Sequence, residues 1–200
     1  MKRILFYLFS WLTIPHILSY IFCSNKKIIR KDVTRWCRCD NLNCNSFFFS
    51  LVWLLLFKKE YRNLFYLRIG KARHLLMFIL PPLSTLYICT KSENVGAGLY
   101  IQHGFSTVIA AARIGENCWI NQQVTIGFNN SKKYGYGQPI LGNNVRVSAG
   151  AKVCGNITIG DDSTIGLNAV VVKNIQKGST VIPSPMMLIS VYGENVYKKL

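Results

Sequence analysis

Residues 141–171 read LGNNVRVSAGAKVCGNITIGDDSTIGLNAVV. Leu141, Val147, Val153, Ile159, Ile165 and Val171 stand six residues apart without exception. That spacing matches neither the helical period of about 3.6 residues nor the simple alternation of a long strand. It fits short strands that turn at every repeat, each sending one large side chain inward. Toward the N-terminus the same markers are Val95, Ile101, Val108, Ile114, Ile120 and Ile126. The position after the marker is often glycine, at Gly96, Gly115, Gly127, Gly142, Gly160 and Gly166. The fourth position after it is small or β-branched, as at Cys118, Val124, Val145, Ala151, Ile157, Ser163, Ala169 and Ile175. Glycine beside the marker predicts a corner where the backbone turns sharply. Three such sides close a coil of about eighteen residues, and stacked coils share one continuous apolar core.

The first ninety residues follow a different rule. KKIIRKDVTRW mixes charged and apolar residues at helical spacing, and FSLVWLLLFKKEYRNLFYLRIGKARHLLMFIL predicts one or two helices broken near Gly70. They end before Pro81-Pro82, which a helix interior does not tolerate. The organisation expected is a basic, apolar helical region at 1–92, a repeat domain at 93–182 interrupted by a loop at 128–140, and a tail at 183–200. Two hundred residues suit one domain, or one domain with an appendage. Half of them are apolar, which excludes a disordered chain.

The net charge is +16, of which residues 1–94 carry +11, from fifteen Lys/Arg against Asp32, Asp40, Glu60 and Glu93. Basic residues beside runs such as FFFSLVWLLLF suit an anionic membrane surface. Nucleic acid is not expected as a partner, because no motif for it is present. The opening MKRILFYLFSWLTIPHILSYIFCS has the basic end and apolar core of a signal peptide but no small-x-small cleavage site. It is long enough to cross a bilayer, which takes about 20 residues. Pro15 and His16 interrupt it, and helices lying on a membrane or in a core are the expectation. Of seven cysteines only Cys37, Cys39 and Cys44 cluster, at a spacing that fits no common zinc pattern. They are expected as reduced thiols in a cytoplasmic protein, and no metal is expected.

VGAGLYIQHG, RIGENCWINQQVTIG and VRVSAGAKVCGNITIGDDSTIGLNAVVVKNI resemble the hexapeptide-repeat acyltransferases, and among them the serine O-acetyltransferases. The resemblance covers residues 93–182 well and the helical half more loosely. It implies an α+β chain in which the N-terminal α-helical region precedes a left-handed parallel β-helix. It further implies a homotrimer, acetyl-CoA as co-substrate and a small-molecule acceptor with a hydroxyl group.

The family carries its catalytic histidine in a D-H-A-T-G-like stretch, matched here by Gln102-His103-Gly104-Phe105-Ser106. His103 would be the general base, taking a proton from the acceptor hydroxyl. An imidazole suits that work because histidine titrates near neutrality. The repeat also stretches here, with seven residues from Ile101 to Val108, which predicts a bulge that re-aims a side chain. His16 and His74 lie in apolar helical surroundings and read as structural. Loop 128–140 ends in Tyr136-Gly137-Gln138-Pro139, where serine acetyltransferases have a D-R-H-P-like stretch, so Gln138 keeps a hydrogen-bonding group and the arginine is gone. Gln102 replaces the acidic residue before the histidine. The aspartate expected some fifteen residues earlier is missing too, with Glu93 the acid nearby. These departures count against serine as acceptor and keep a sugar or surface-glycan precursor open.

Family positions for the donor fall on Ala149, Leu167, Val172 and Lys173, the lysine meeting a phosphate as a point charge. The family's closing G-x-P-A-[KR] stretch reads Pro183-Ser184-Pro185-Met186-Met187 here, without its basic residue. A catalytically inactive β-helix scaffold fits poorly with a retained His103, and a β-helix carbonic anhydrase would need three histidines in the repeat region. The enzyme is expected in the cytoplasm, with its N-terminal helices on the inner face of the cell membrane.

Overall fold

The computed structural model describes residues 2–42, 46–129, 136–184, 187–191 and 194–199. Helices come first: α1 (Lys2–Phe9), a 3-10 turn at Ser10–Thr13, α2 (Ile14–Phe22), α3 (Lys26–Cys39), α4 (Phe47–Phe57), α5 (Lys59–Ile69) and α6 (Arg73–Ile79). Pro15 sits in the first turn of α2, where its missing N–H leaves no bond unmade. The long apolar stretch breaks at Gly70, whose φ of 69° is left-handed, and again at Lys58. Helix α4 buries Leu51, Leu54 and Leu55 fully, while Phe48 and Phe49 in its first turn stay exposed. The stretch Ile4–Phe22 is long and apolar enough to cross a membrane, and only 22% of it is buried.

The cysteine expectation is corrected at one position. Cys37, buried at the end of α3 where the chain turns back toward α4, is disulfide-bonded, whereas Cys23, Cys39, Cys89, Cys118 and Cys154 are free thiols. Cys44 lies outside the described residues. His74, expected in apolar surroundings, is exposed on α6.

The repeat forms three parallel sheets. The first holds β1 (Leu86–Ile88), β3 (Thr107–Ile109), β6 (Thr125–Gly127), β9 (Lys152–Cys154) and β12 (Val170–Val171). The second holds β4 (Arg113–Ile114), β7 (Ile140–Leu141) and β10 (Thr158–Ile159). The third holds β2 (Tyr100–Ile101), β5 (Trp119–Ile120), β8 (Arg146–Val147), β11 (Thr164–Ile165) and β13 (Thr180–Val181). The chain visits the sheets in rotation, so each coil is a triangle. Val147 pairs with Ile165, Leu141 with Ile159 and Val153 with Val171, each one coil of eighteen residues apart. The first sheet begins with β1, ahead of residue 93. Strands β14 (Met187–Val191) and β15 (Glu194–Lys199) pair antiparallel in the stretch expected as a tail.

Two details of the repeat differ from expectation. Val108 is not an inward marker; Ile109 is fully buried and pairs with Ile126. The corner before it holds two residues more than a regular repeat, which moves the marker along by one. The glycines beside the markers also have another purpose. A Cβ on Gly96 would strike the Gly115 backbone, one on Gly115 the Gly142 backbone, and one on Gly142 or Gly160 the coil above. None of these four has positive φ. The left-handed residues are two positions further on, at Gly98, Asn117, Asn144 and Asp162. The glycines therefore permit close stacking, and Asn, Asp or Gly two positions later makes the turn.

A buried ion pair joins the helices to the first coil. Arg68 of α5 donates from Nε to Asp32 Oδ2 of α3 at 3.0 Å, with both side chains essentially inaccessible. Its other nitrogens donate to the carbonyls of Ser92, Val95 and Gly96, and Asp32 Oδ1 accepts the Gly98 N–H at 2.6 Å. Burial pushes the Asp32 carboxyl above its ordinary value, and the Arg68 guanidinium and the Gly98 N–H oppose that. Beside it Trp36 donates to the Leu99 carbonyl and packs edge-on against Tyr100, which packs in turn on Trp119.

His16 pins α2 to the helices beneath. Its Nε2 lies 2.9 Å from the Tyr66 hydroxyl, which donates to the Leu80 carbonyl at 2.6 Å. The tyrosine has one proton, so the histidine must be the donor in this pair. Burial lowers the His16 pKa to about 4.

Two consequences are measurable. Arg68→Met leaves Asp32 buried and unpaired, and should lower unfolding stability by about 3–5 kcal/mol in denaturant titration. The histidine sets a pH dependence. Above about pH 6.5 it is neutral whether folded or unfolded. Below that the unfolded chain binds a proton that the folded chain refuses, so stability falls until about pH 4, by about 3 kcal/mol in all. Thermal melts of His16→Gln should show a flatter slope between pH 6.5 and 4 than the parent.

Candidate active site

Residues 102–106 carry the chain from β2 on the third sheet to β3 on the first. The extra residues are absorbed in this corner and not as a bulge within a strand. The Phe105 N–H donates to the His103 carbonyl across Gly104, a turn of three residues. His103 and Ser106 hold left-handed φ values of 61° and 52°. His103 consequently stands outside the prism and exposed, while Gly104 is buried beneath it.

The corners above stack on this one through backbone bonds. Phe105 O accepts the Gln123 N–H at 3.0 Å, Gln122 O the Gly150 N–H at 3.1 Å, and Ala149 O the Asn168 N–H at 3.0 Å. His103, Ala149 and Leu167 therefore share one edge of the prism, and Leu167 is exposed there. Gln102 serves the stack as well, its Oε1 accepting from Asn121 Nδ2 of the next coil at 2.9 Å.

The other expected residues lie elsewhere. Val172 and Lys173 follow β12 at the edge between the first and second sheets. The loop carrying Gln138 leaves the same edge, between β6 and β7. Asn129 and Gly137 bridge its base, Gln138 is exposed, and residues 130–135 of the loop lie outside the described residues. A full face of the prism thus separates His103, Ala149 and Leu167 from Gln138, Val172 and Lys173 in one chain. Of the closing stretch, Pro185 and Met186 lie outside the described residues. Among the described residues no group of three His, Cys, Asp or Glu side chains is placed to hold a metal ion.

The helical layer adds groups that spacing along the repeat did not reveal. The Tyr100 hydroxyl, three residues before His103, donates to Asp40 Oδ1 at 2.7 Å, and Lys58 Nζ lies 3.0 Å from Asp40 Oδ2. Burial and the hydrogen bond to Asp40 raise the Tyr100 pKa well above its ordinary value. Glu60, in the first turn of α5, packs against Gly104. The one hint in the sequence is Gly104 itself, standing where the resembling stretch has alanine.

The chain is thus a three-sided parallel β-helix with an exposed histidine at a stretched corner. No family model matches the chain. It is 41% identical over 106 residues to the serine acetyltransferase of Staphylococcus xylosus, covering 52% of this chain and 49% of that protein. It is 46% identical over 90 residues to a serine acetyltransferase of Helicobacter pylori, covering 44% and 52%. The crystal structure of Neisseria gonorrhoeae serine acetyltransferase in complex with serine aligns with a TM-score of 0.62 at 25% identity, over 80% of this chain and 67% of that one. Serine acetyltransferase isoform 3 of Entamoeba histolytica, in complex with cysteine, aligns at 0.52 and 26%, over 81% and 60%. The chain spans about half the length of the curated relatives it matches. In sequence and in fold it is similar to the serine acetyltransferases.

Proposed function

We propose that the chain is an acetyl-CoA-dependent O-acetyltransferase of the serine acetyltransferase type, working as a trimer of left-handed β-helices in the cytoplasm. The observation that carries this is the edge on which His103 projects from its corner with Ala149 and Leu167 stacked above it. His103 takes the acceptor's hydroxyl proton as the oxygen attacks the thioester carbon. The adduct collapses with loss of the C–S bond, and the imidazolium returns the proton to the departing sulfur. Backbone groups at Ala149 and Leu167 meet the pantetheine amides. The separation of the two edges supports a trimer, because a neighbour's loop edge would bring Gln138, Val172 and Lys173 to face His103. Gln138 then orients the acceptor, and Lys173 meets a phosphate of the donor.

His103→Asn keeps a hydrogen-bonding group and removes the basicity. Turnover should fall about 10²- to 10⁴-fold, while acetyl-CoA affinity and the melting temperature stay close to the parent's. Gln138→Ala should raise the acceptor's KM more than it lowers turnover. Near-normal turnover in His103→Asn would make the histidine a corner residue and overturn the mechanism.

We also propose peripheral contact with an anionic membrane. Leu8, Trp11, Leu18 and Phe22 are 59%, 62%, 49% and 84% exposed, and Leu75 and Phe78 of the neighbouring α6 are 74% and 89% exposed. Exposed Lys26, Lys27 and Lys71 gather where Asn25 bonds the end of α5. Apolar side chains beside cations suit anionic headgroups, at about 1 kcal/mol for each basic residue. The full chain should co-sediment with phosphatidylglycerol vesicles and less with phosphatidylcholine ones, and Trp11→Ser with Phe78→Ser should weaken this. A chain that stays in the supernatant with both would assign the apolar face to contacts between subunits.

A further inference from the structure

The His103 corner, residues 102–106, carries no acidic residue of its own, yet the side chain of Glu60 reaches it from the helical layer. A methyl group placed on Gly104 would sit 2.9 Å from Ile101 and 3.1 Å from both Glu60 Cγ and Leu86. Glycine is needed at 104 because the room that an alanine would fill is occupied, in part by Glu60. The position of Glu60 is held firmly. Two residues on, Arg62 donates to the carbonyls of Leu55, Leu56 and Pro81. Asn63 accepts the Leu83 N–H and donates to the carbonyls of Leu83 and Leu86, the latter at the start of β1. The first turn of α5 is thereby clamped against the coil that carries His103.

Glu60 is half-buried, and among the described residues it makes no hydrogen bond or ion pair, although the Arg62 guanidinium and the Tyr100 hydroxyl both feel its charge. Lys58, two residues before it, is committed to Asp40. A clamped carboxylate with no hydrogen-bond partner, on a side chain that packs against the residue following His103, is placed to accept hydrogen bonds from a ligand. It would repel an acceptor's own carboxylate, and Gln138 offers no positive charge to compensate. It would accept from a neutral polyol, whose hydroxyls are donors.

From this geometry we infer that Glu60 is a specificity-determining residue, accepting a hydrogen bond from the hydroxyl next to the one acetylated on a sugar acceptor. The inference rests on the acetyl transfer by His103 argued above. Thioester cleavage by the full chain should be measured with L-serine and with the methyl glycosides of glucose, galactose and mannose. At least one glycoside should be turned over with a higher kcat/KM than L-serine. Glu60→Gln keeps the shape and loses the charge. It should raise that glycoside's KM about 10- to 100-fold, leaving kcat and the KM of acetyl-CoA within about threefold. The deoxy glycoside lacking the neighbouring hydroxyl should lose as much with the parent and little more with Glu60→Gln. Gly104→Ala, which crowds Glu60 without removing it, should raise the same KM.

Preference for L-serine, failure of every glycoside, or an unchanged glycoside KM in a Glu60→Gln protein of normal melting temperature would each overturn the inference. Loss of the base role would register separately, as turnover retained by His103→Asn with the glycoside KM still dependent on Glu60.

Discussion

The Arg68–Asp32 pair is the constraint on which the relation of helices to coil depends. A β-helix leaves its first coil with unpaired backbone groups on the open side, and these must be met before the prism can end. Arg68 meets three carbonyls and Asp32 one N–H. Neither charge could be buried alone, since desolvating an isolated ion is prohibitive. Together they form a plug that is neutral overall and satisfies the first coil. The plug ties α3 and α5 to the first coil at one end of α5, and Arg62 and Asn63 tie down the other. The Trp36–Tyr100–Trp119 stack then extends the junction along the third sheet.

The active edge combines two kinds of order. Along the coil, backbone bonds set the height of each corner, so the intervals from His103 to Ala149 and Leu167 follow from the stacking. Across the coil, the helices supply groups that the repeat has no room to carry. A coil position has either an inward side chain, needed for the core, or an outward one at a fixed angle. Chemistry that needs two groups converging from different directions must draw on another layer or another chain. Glu60, which packs against Gly104, is the group proposed from the first source, and the loop edge of a neighbouring subunit is the proposed second.

What was legible in the sequence was what is local. Leu141 through Val171 point inward because identical corners follow one another, and six residues suffice to see it. The break at Gly70 and the stop before Pro81 are equally local. The slip from Val108 to Ile109 was hidden because two extra residues at one corner leave an apolar residue in either frame. The meaning of the glycines was hidden because Gly115 meets Gly142 across a coil lengthened by the loop. Glu60 was hidden most deeply: forty-four residues separate it from Gly104, and only the fold brings them together. Cys37 shows the same limit, since spacing alone does not determine whether a thiol finds a partner.

The three edges of the prism are not equivalent, and the column Gly96, Gly115, Gly142 and Gly160 explains why. All four lie between the second and third sheets, where backbone rests directly on backbone. That edge acts as a spine and fixes the rise per coil; an added residue or even a methyl group there would pry the coils apart. The departures from the regular repeat, among them the His103 corner and the long loop, occur on the other two edges. One seam is closed to variation and two are open, so the molecule can be altered along two of its edges without altering its pitch.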